Sequence, residues 1–161
     1  MKNLILMRHA KSSWDAPVQD FDRTLEHRGI EDAHSVARYS LNYLPSSFVI
    51  YSSSAKRARE TALIFAKTIL YPAESIVFSD NLYTFDAYKL EKVIKSIRNN
   101  IDNVIIFGHN DAITNFVNKF GNIFIDNVPT AGFVWIQFEA ESWDTIANGK
   151  TIKTLFPKNL K

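Results

Sequence analysis

Leu4-Ile5-Leu6-Met7-Arg8-His9-Ala10-Lys11-Ser12 is the stretch around which the rest of the chain can be read. Four apolar residues stop at a cation and an imidazole, and the chain then turns polar. A short apolar run with polar flanks predicts a buried strand over residues 3–7. Such a strand carries Arg8 and His9 out of the core and leaves them at its open end.

Two more buried runs of this kind follow, Phe48-Val49-Ile50-Tyr51 and Val104-Ile105-Ile106-Phe107, with Ile76-Val77-Phe78 as a short strand between them. Phe133 to Phe138 reads as a fifth strand, introduced by Pro129-Thr130-Ala131-Gly132, and Thr151 to Phe156 as an edge strand. Between them lie segments with apolar residues at three- and four-residue steps. Ile30, Ala33, Val36, Ala37, Leu41 and Leu44 make one helical face, ended by Leu44-Pro45. Ala58, Ala62, Phe65 and Ala66 make a second, with Ser52-Ser53-Ser54 as possible N-caps. Leu90, Val93, Ile94 and Ile97 make a third, and a fourth helix spans about Asp111 to Phe120. Strands alternating with helices predict an α/β three-layer sandwich: a mostly parallel central sheet with helices on both faces, in a single domain over residues 1–161. Residues 10–23 have no sustained period and read as a long, polar loop of the kind that carries function.

The composition suits a soluble globular chain: 46% hydrophobic and 22% charged residues, with a formal net charge of +2. That charge is too small to point to nucleic acid or a membrane surface. There is no cysteine, so disulfides, thiolate metal sites and cysteine nucleophiles are ruled out. No stretch approaches the ~18 apolar residues of a membrane span, and the N-terminal run is too short for a signal segment. A cytoplasmic location is expected.

In a parallel α/β sheet the strand-to-helix junctions share one edge, and ligands bind there. The first strand ends in Arg8-His9. The second ends in Ser52-Ser53, with Arg57 one turn into the next helix. The fourth ends in Gly108-His109-Asn110. Two imidazoles, two guanidinium groups and free helix N-termini are therefore expected to converge. Guanidinium groups fork onto phosphate oxygens and stay charged. An imidazole among them is pushed toward its neutral form by repulsion, and a neutral imidazole can attack phosphorus. A second imidazole can hydrogen-bond an oxygen as charge develops. The set predicts covalent phosphoryl transfer through phosphohistidine, with no metal and no cofactor.

These residues resemble a known family. Arg8-His9-Ala10-Lys11 is similar to the Arg-His-Gly signature of the histidine phosphatase superfamily, with its phosphoglycerate-mutase-like fold. Ser53-Ser54-Ala55-Lys56-Arg57-Ala58-Arg59-Glu60-Thr61-Ala62 resembles its second motif, and Gly108-His109-Asn110 its second histidine motif. Asp20-Phe21-Asp22-Arg23-Thr24-Leu25-Glu26-His27-Arg28-Gly29 and Asp126-Asn127-Val128-Pro129-Thr130-Ala131-Gly132 look like the short SixA-type phosphohistidine phosphatases. The resemblance covers nearly the whole chain in order. It implies that His9 is the nucleophile and that Arg8, Arg57 and His109 hold the phosphoryl group. Ala10 replaces the common glycine, a change the turn is expected to tolerate. Thr84 stands where many relatives place a glutamate general acid, and Asp86 is expected to cap the following helix instead. An alcohol leaving group needs a proton donor, whereas an imidazole leaves far more easily. The expected substrate is therefore phosphohistidine on a signalling protein, or a small activated phosphate ester. A broad phosphomonoesterase or mutase is the alternative enzyme, and a phosphate- or phosphoprotein-binding module the alternative outside enzymes.

Other polar residues have plainer readings. Ser12, with Lys11, Ser13 and Trp14, either touches substrate from the loop or packs it. Arg23 and Arg28 are read as anchors for the loop, through Asp20, Asp22 or Glu26. Arg59 is assigned to the solvent side of its helix. His27 and His34 share a helix face but lack the partners of a metal site.

Overall fold

The computed structural model describes residues 1–161. Six strands form one sheet: β1 (Lys2–Arg8), β2 (Val49–Ser53), β3 (Val77–Ser79), β4 (Asn103–Gly108), β5 (Phe133–Phe138) and β6 (Lys150–Leu155), in the spatial order β3-β2-β4-β1-β5-β6. The pairs β2·β3, β2·β4 and β1·β4 are parallel, while β1·β5 and β5·β6 are antiparallel. The helices are α1 (His27–Ser40), α2 (Lys56–Ile69), α3 (Ala87–Lys95) and α4 (Ala112–Phe120). This is the α/β sandwich with a mostly parallel sheet that the alternation of runs predicts. None of these helices is long and apolar enough to cross a membrane.

Strand side chains alternate between faces, so the continuous apolar runs fill two cores at once. From β1, Leu4 and Leu6 pack with Ile94, Ile113, Phe116 and Val117 of α3 and α4. Ile5 and Met7 pack on the other face with Ala33, Val36, Ala37, Ala62, Phe65 and Ala66 of α1 and α2. The alanines allow these two helices to lie close to the sheet and to each other. Phe65 fills the remaining space edge-on to Phe107.

Three local readings need correction. Helix α1 ends at Ser40, so Leu41 lies beyond it and is exposed, as is Ile30 near its start. Ser52 and Ser53 are not helix caps: β2 runs through Ser53, and α2 begins after Ala55 with no side-chain cap. The sheet extends farther than the apolar run because Ser52 stays paired with β3 and β4, and Ser53 with β3. Helix α3 stops at Lys95, so Ile97 lies beyond it, while Asp86 caps its start by accepting from the Tyr88 N–H.

The register positions the functional residues. Arg8 pairs with Gly108, so His9 and His109 leave adjacent parallel strands side by side. Ser52 pairs with Phe107, which sets Ser53 beside Gly108 and His109. On the other flank, the Ala131 N–H donates to both Arg8 O and His9 O, at 3.1 and 3.0 Å. The β1 tip is therefore gripped from both sides.

Candidate active site

At the carboxyl edge of β1, β2 and β4 lies a cavity of about 310 Å³, lined by Arg8, His9, Lys11, Ser12, Trp14, Asp20, Arg23, Arg57, Phe85, Asn110 and Thr130. Four cationic side chains and one carboxylate border it. A larger hollow of about 440 Å³ adjoins Tyr83 and Thr84, but no imidazole or guanidinium group reaches it.

His9 is held in one tautomer. Its Nδ1 lies 2.7 Å from Ala10 O, and a carbonyl only accepts, so Nδ1 carries the proton and Nε2 the lone pair. Arg57 Nε donates to that lone pair at 3.3 Å. The Ala10 N–H donates to Thr61 Oγ1 at 2.9 Å, and Thr61 in turn donates to the Arg57 backbone carbonyl, so the turn after His9 is tied to α2. The small Ala10 side chain is fully buried. The His9 pKa is pushed down to about 3, first by burial and then by Arg57, Arg8 and Arg23, against the Ala10 hydrogen bond. Burial, more than the repulsion expected from the sequence, keeps this ring neutral.

His109 sits one layer deeper, 2% exposed, and does not line the cavity itself. Its ring centroid is 5.3 Å from that of His9, and Tyr83 and Phe85 close over it edge-on. Its Nε2 lies 2.8 Å from Ser53 Oγ, which also accepts from the Ala55 N–H. The Ser53 hydroxyl and Nε2 share one hydrogen bond, so only Nδ1 is left over. That buried nitrogen has no partner within the protein. Burial, His9 and Arg57 push this pKa down to about 3 as well. Two neutral imidazoles thus stand together, His9 with its Nε2 lone pair accepting from Arg57 and His109 with an unpartnered Nδ1.

Arg57 is 2% exposed and its donors point three ways: Nε to His9, Nη1 to Asp20 O at 2.6 Å, and Nη2 to Asp20 Oδ2 at 2.9 Å. Arg8 donates from Nη1 to Val128 O at 2.9 Å, and its buried Nε has no partner. Burial lowers the Arg8 pKa, and nearby Arg57 lowers it further, against Asp111. Arg23 anchors the loop as read, through Ser12 Oγ at 2.5 Å, Ser13 O at 3.1 Å and Asp20 Oδ1 at 3.2 Å. It also faces the cavity and lies under the exposed Trp14 ring, 3.2 Å from its centroid. Ser12 reaches the cavity but its hydroxyl is held by Arg23. Asn110 caps the start of α4 by accepting from the Thr114 N–H, and it ties the turn to Asn127 and Val128 O.

The structure therefore brings Arg8, His9, Arg57 and Ser12 to one cavity, with His109 directly behind. Two participants escaped the sequence reading. Asp20 lies across the cavity mouth, where Tyr83 donates its hydroxyl to the carboxylate. The length and polarity of the 10–23 loop are the signals that could have found Asp20; nothing in the sequence marks Tyr83. Thr84 turns its hydroxyl to the Asp86 N–H and takes no part in the cavity.

Residues 4–83 match the model of the histidine phosphatase superfamily (branch 1). The chain belongs to that superfamily. It is 49% identical over 63 residues to a chloroplastic protein of Arabidopsis thaliana, covering 37% of this chain and 28% of that longer protein. In fold it matches the protein histidine phosphatase SixA in complex with tungstate, with a TM-score of 0.81, 17% identity and 99% of both chains covered. A mycobacterial glucosyl-3-phosphoglycerate phosphatase is similar at a TM-score of 0.72 and 12% identity, over 95% of this chain and 98% of the other.

Proposed function

We propose that the chain is a phosphatase that works through a phosphorylated His9 and takes phosphohistidine as its substrate. One observation carries this reading: the His9 Nε2 lone pair is presented at a cationic cavity while its Nδ1 proton is tied to Ala10 O. Attack by Nε2 on phosphorus gives up the Arg57 Nε hydrogen bond, which frees that N–H for a phosphoryl oxygen, and leaves the Nδ1–H where it is. The product ring is a phosphorylated imidazolium, stabilised by the same carbonyl.

Arg8, Arg57 and Arg23 surround the position where a transferring phosphoryl group stands, and the unpaired His109 Nδ1 behind it becomes a neutral donor when the ring proton stands there. Donors fixed before reaction stabilise developing charge without reorganising. In the second half-reaction, water attacks phosphorus, the P–Nε2 bond breaks with its electron pair returning to His9, and both water protons leave on the phosphate. No carboxylic acid stands at Thr84, and Asp86 is occupied at the helix cap. The geometry thus favours a leaving group that departs without a proton donor, as a protonated imidazole does. Tungstate, which the SixA relative holds, is a phosphate mimic, in keeping with a phosphoryl site.

The test compares wild type with His9→Ala on a phosphohistidine peptide, p-nitrophenyl phosphate and 3-phosphoglycerate. Turnover of the first and weak turnover of the second are expected, with both lost in the variant. Binding without turnover by the wild type means a phosphate-binding module. Efficient turnover of 3-phosphoglycerate means a phosphomonoesterase or mutase.

A further inference from the structure

A carboxylate has no evident place in a pocket built for an anion. Asp20 nevertheless lines the cavity, half-buried, and accepts from Arg57 Nη2, Arg23 Nη1 and the Tyr83 hydroxyl. Only one guanidinium group separates it from the His9 Nε2 lone pair. Towards an ordinary phosphate ester it is a handicap, since it repels the dianion and engages part of the Arg57 fork. Nor does it replace the missing acid: burial raises its pKa, but Tyr83 and Arg57 outweigh that and hold it at about 2. A group that stays ionised donates no proton.

Resting on the phosphohistidine reading above, we propose that the Asp20 carboxylate selects phosphoryl donors in which the phosphoryl group is borne by a cationic ring with a free N–H, the protonated imidazole of phosphohistidine. Such a ring carries the phosphoryl group on one nitrogen and a proton on the other. The carboxylate accepts from that second nitrogen and binds the protonated form in preference to the neutral one. The protonated form is also the reactive one. When its P–N bond breaks, the electron pair returns to the ring, which leaves neutral with its N–H still on Asp20. The new P–N bond forms at His9 Nε2, and no proton has to move. Asp20 thus substitutes recognition of a good leaving group for protonation of a poor one.

Asp20→Asn and Asp20→Ser test this, because both keep the Asp20 backbone carbonyl that holds Arg57 Nη1. On a phosphohistidine peptide, kcat/KM is expected to fall by about tenfold to a hundredfold, the effect of losing one charge-assisted hydrogen bond. On p-nitrophenyl phosphate, kcat/KM is expected to rise severalfold, because the repelling charge is gone and Arg57 Nη2 is released. Equal losses on both substrates overturn the proposal, since Asp20 then only positions Arg57. An unchanged rate on the peptide overturns it too. A wild-type chain that cleaves p-nitrophenyl phosphate but leaves the peptide intact refutes the phosphohistidine reading itself, and this proposal falls with it.

Discussion

His9 depends on two neighbours of opposite kind. The Ala10 carbonyl fixes where its proton is, and the arginines with the surrounding protein decide that it takes no second one. Neutral His9 and His109 rings should therefore persist from about pH 8 down to about pH 5 in the free protein, well below the ordinary imidazole range. Imidazole nitrogen chemical shifts check this, and a midpoint near 6.5 for either ring contradicts it. Arg57 acts through the shape of its fork, with Nε on His9 and both Nη groups on Asp20. Arg57→Lys keeps the charge but loses the fork, so kcat/KM should fall by roughly a hundredfold or more. Arg8, His9, Arg57 and His109 were legible in the sequence because they follow strand ends, and strand ends share an edge. Asp20 and Tyr83 were not, because the loop path that carries Asp20 across the cavity is decided by tertiary contacts with α2.

At the level of elements, the site depends on how the 10–23 loop is fastened. Glu60 of α2 accepts from Thr24 Oγ1 and the Leu25 N–H, which locks the end of the loop to the helix that carries Arg57. Gly29 of α1 lets the helix lie against the Lys11 backbone, where a Cβ would collide with the Lys11 carbonyl. Gly29→Ala is therefore expected to cost about 1–3 kcal/mol through overpacking, despite the better helix propensity of alanine. Denaturant unfolding measures it, and a gain in stability contradicts the close approach. Phe65→Ala, in the core under α2, should cost about 3–5 kcal/mol. The helix faces built on Ala33, Val36, Ala37, Ala62 and Phe65 were legible because their period is strong. The helix ends were not: Leu41 and Leu44 continue the period of α1 in sequence, yet the helix ends at Ser40, leaving Leu41 exposed and Leu44 packed on the core from outside the helix.

Across the whole molecule, the two buried imidazoles couple folding to acidity. Each is neutral in the folded chain until about pH 3 and ordinary, near 6.5, when unfolded. Between those values the unfolded chain binds more protons, so stability falls as pH drops through this window. Asp20 adds a lower window, from its ordinary 3.8 down to about 2, in which its ion pairs are lost. Denaturant midpoints should therefore decline from about pH 6.5 downward, and a His9→Gln/His109→Gln variant should show a flatter profile. An identical slope in that variant contradicts the assignment. The sequence showed a mostly parallel α/β sheet but not its order. Strands β1, β2 and β4 are all apolar runs buried on both faces, so nothing in their composition says that β4 lies between β1 and β2. That placement is what sets His109 beside His9.

The most direct test of the central claim is to quench the reaction with a phosphohistidine peptide on the millisecond scale and locate phosphate on the protein by mass spectrometry under alkaline conditions. The expected result is a phosphoryl group on His9 that forms and decays at rates consistent with turnover and is absent from His9→Ala. Turnover with no phosphoryl group on His9, or with the group on another residue, contradicts it.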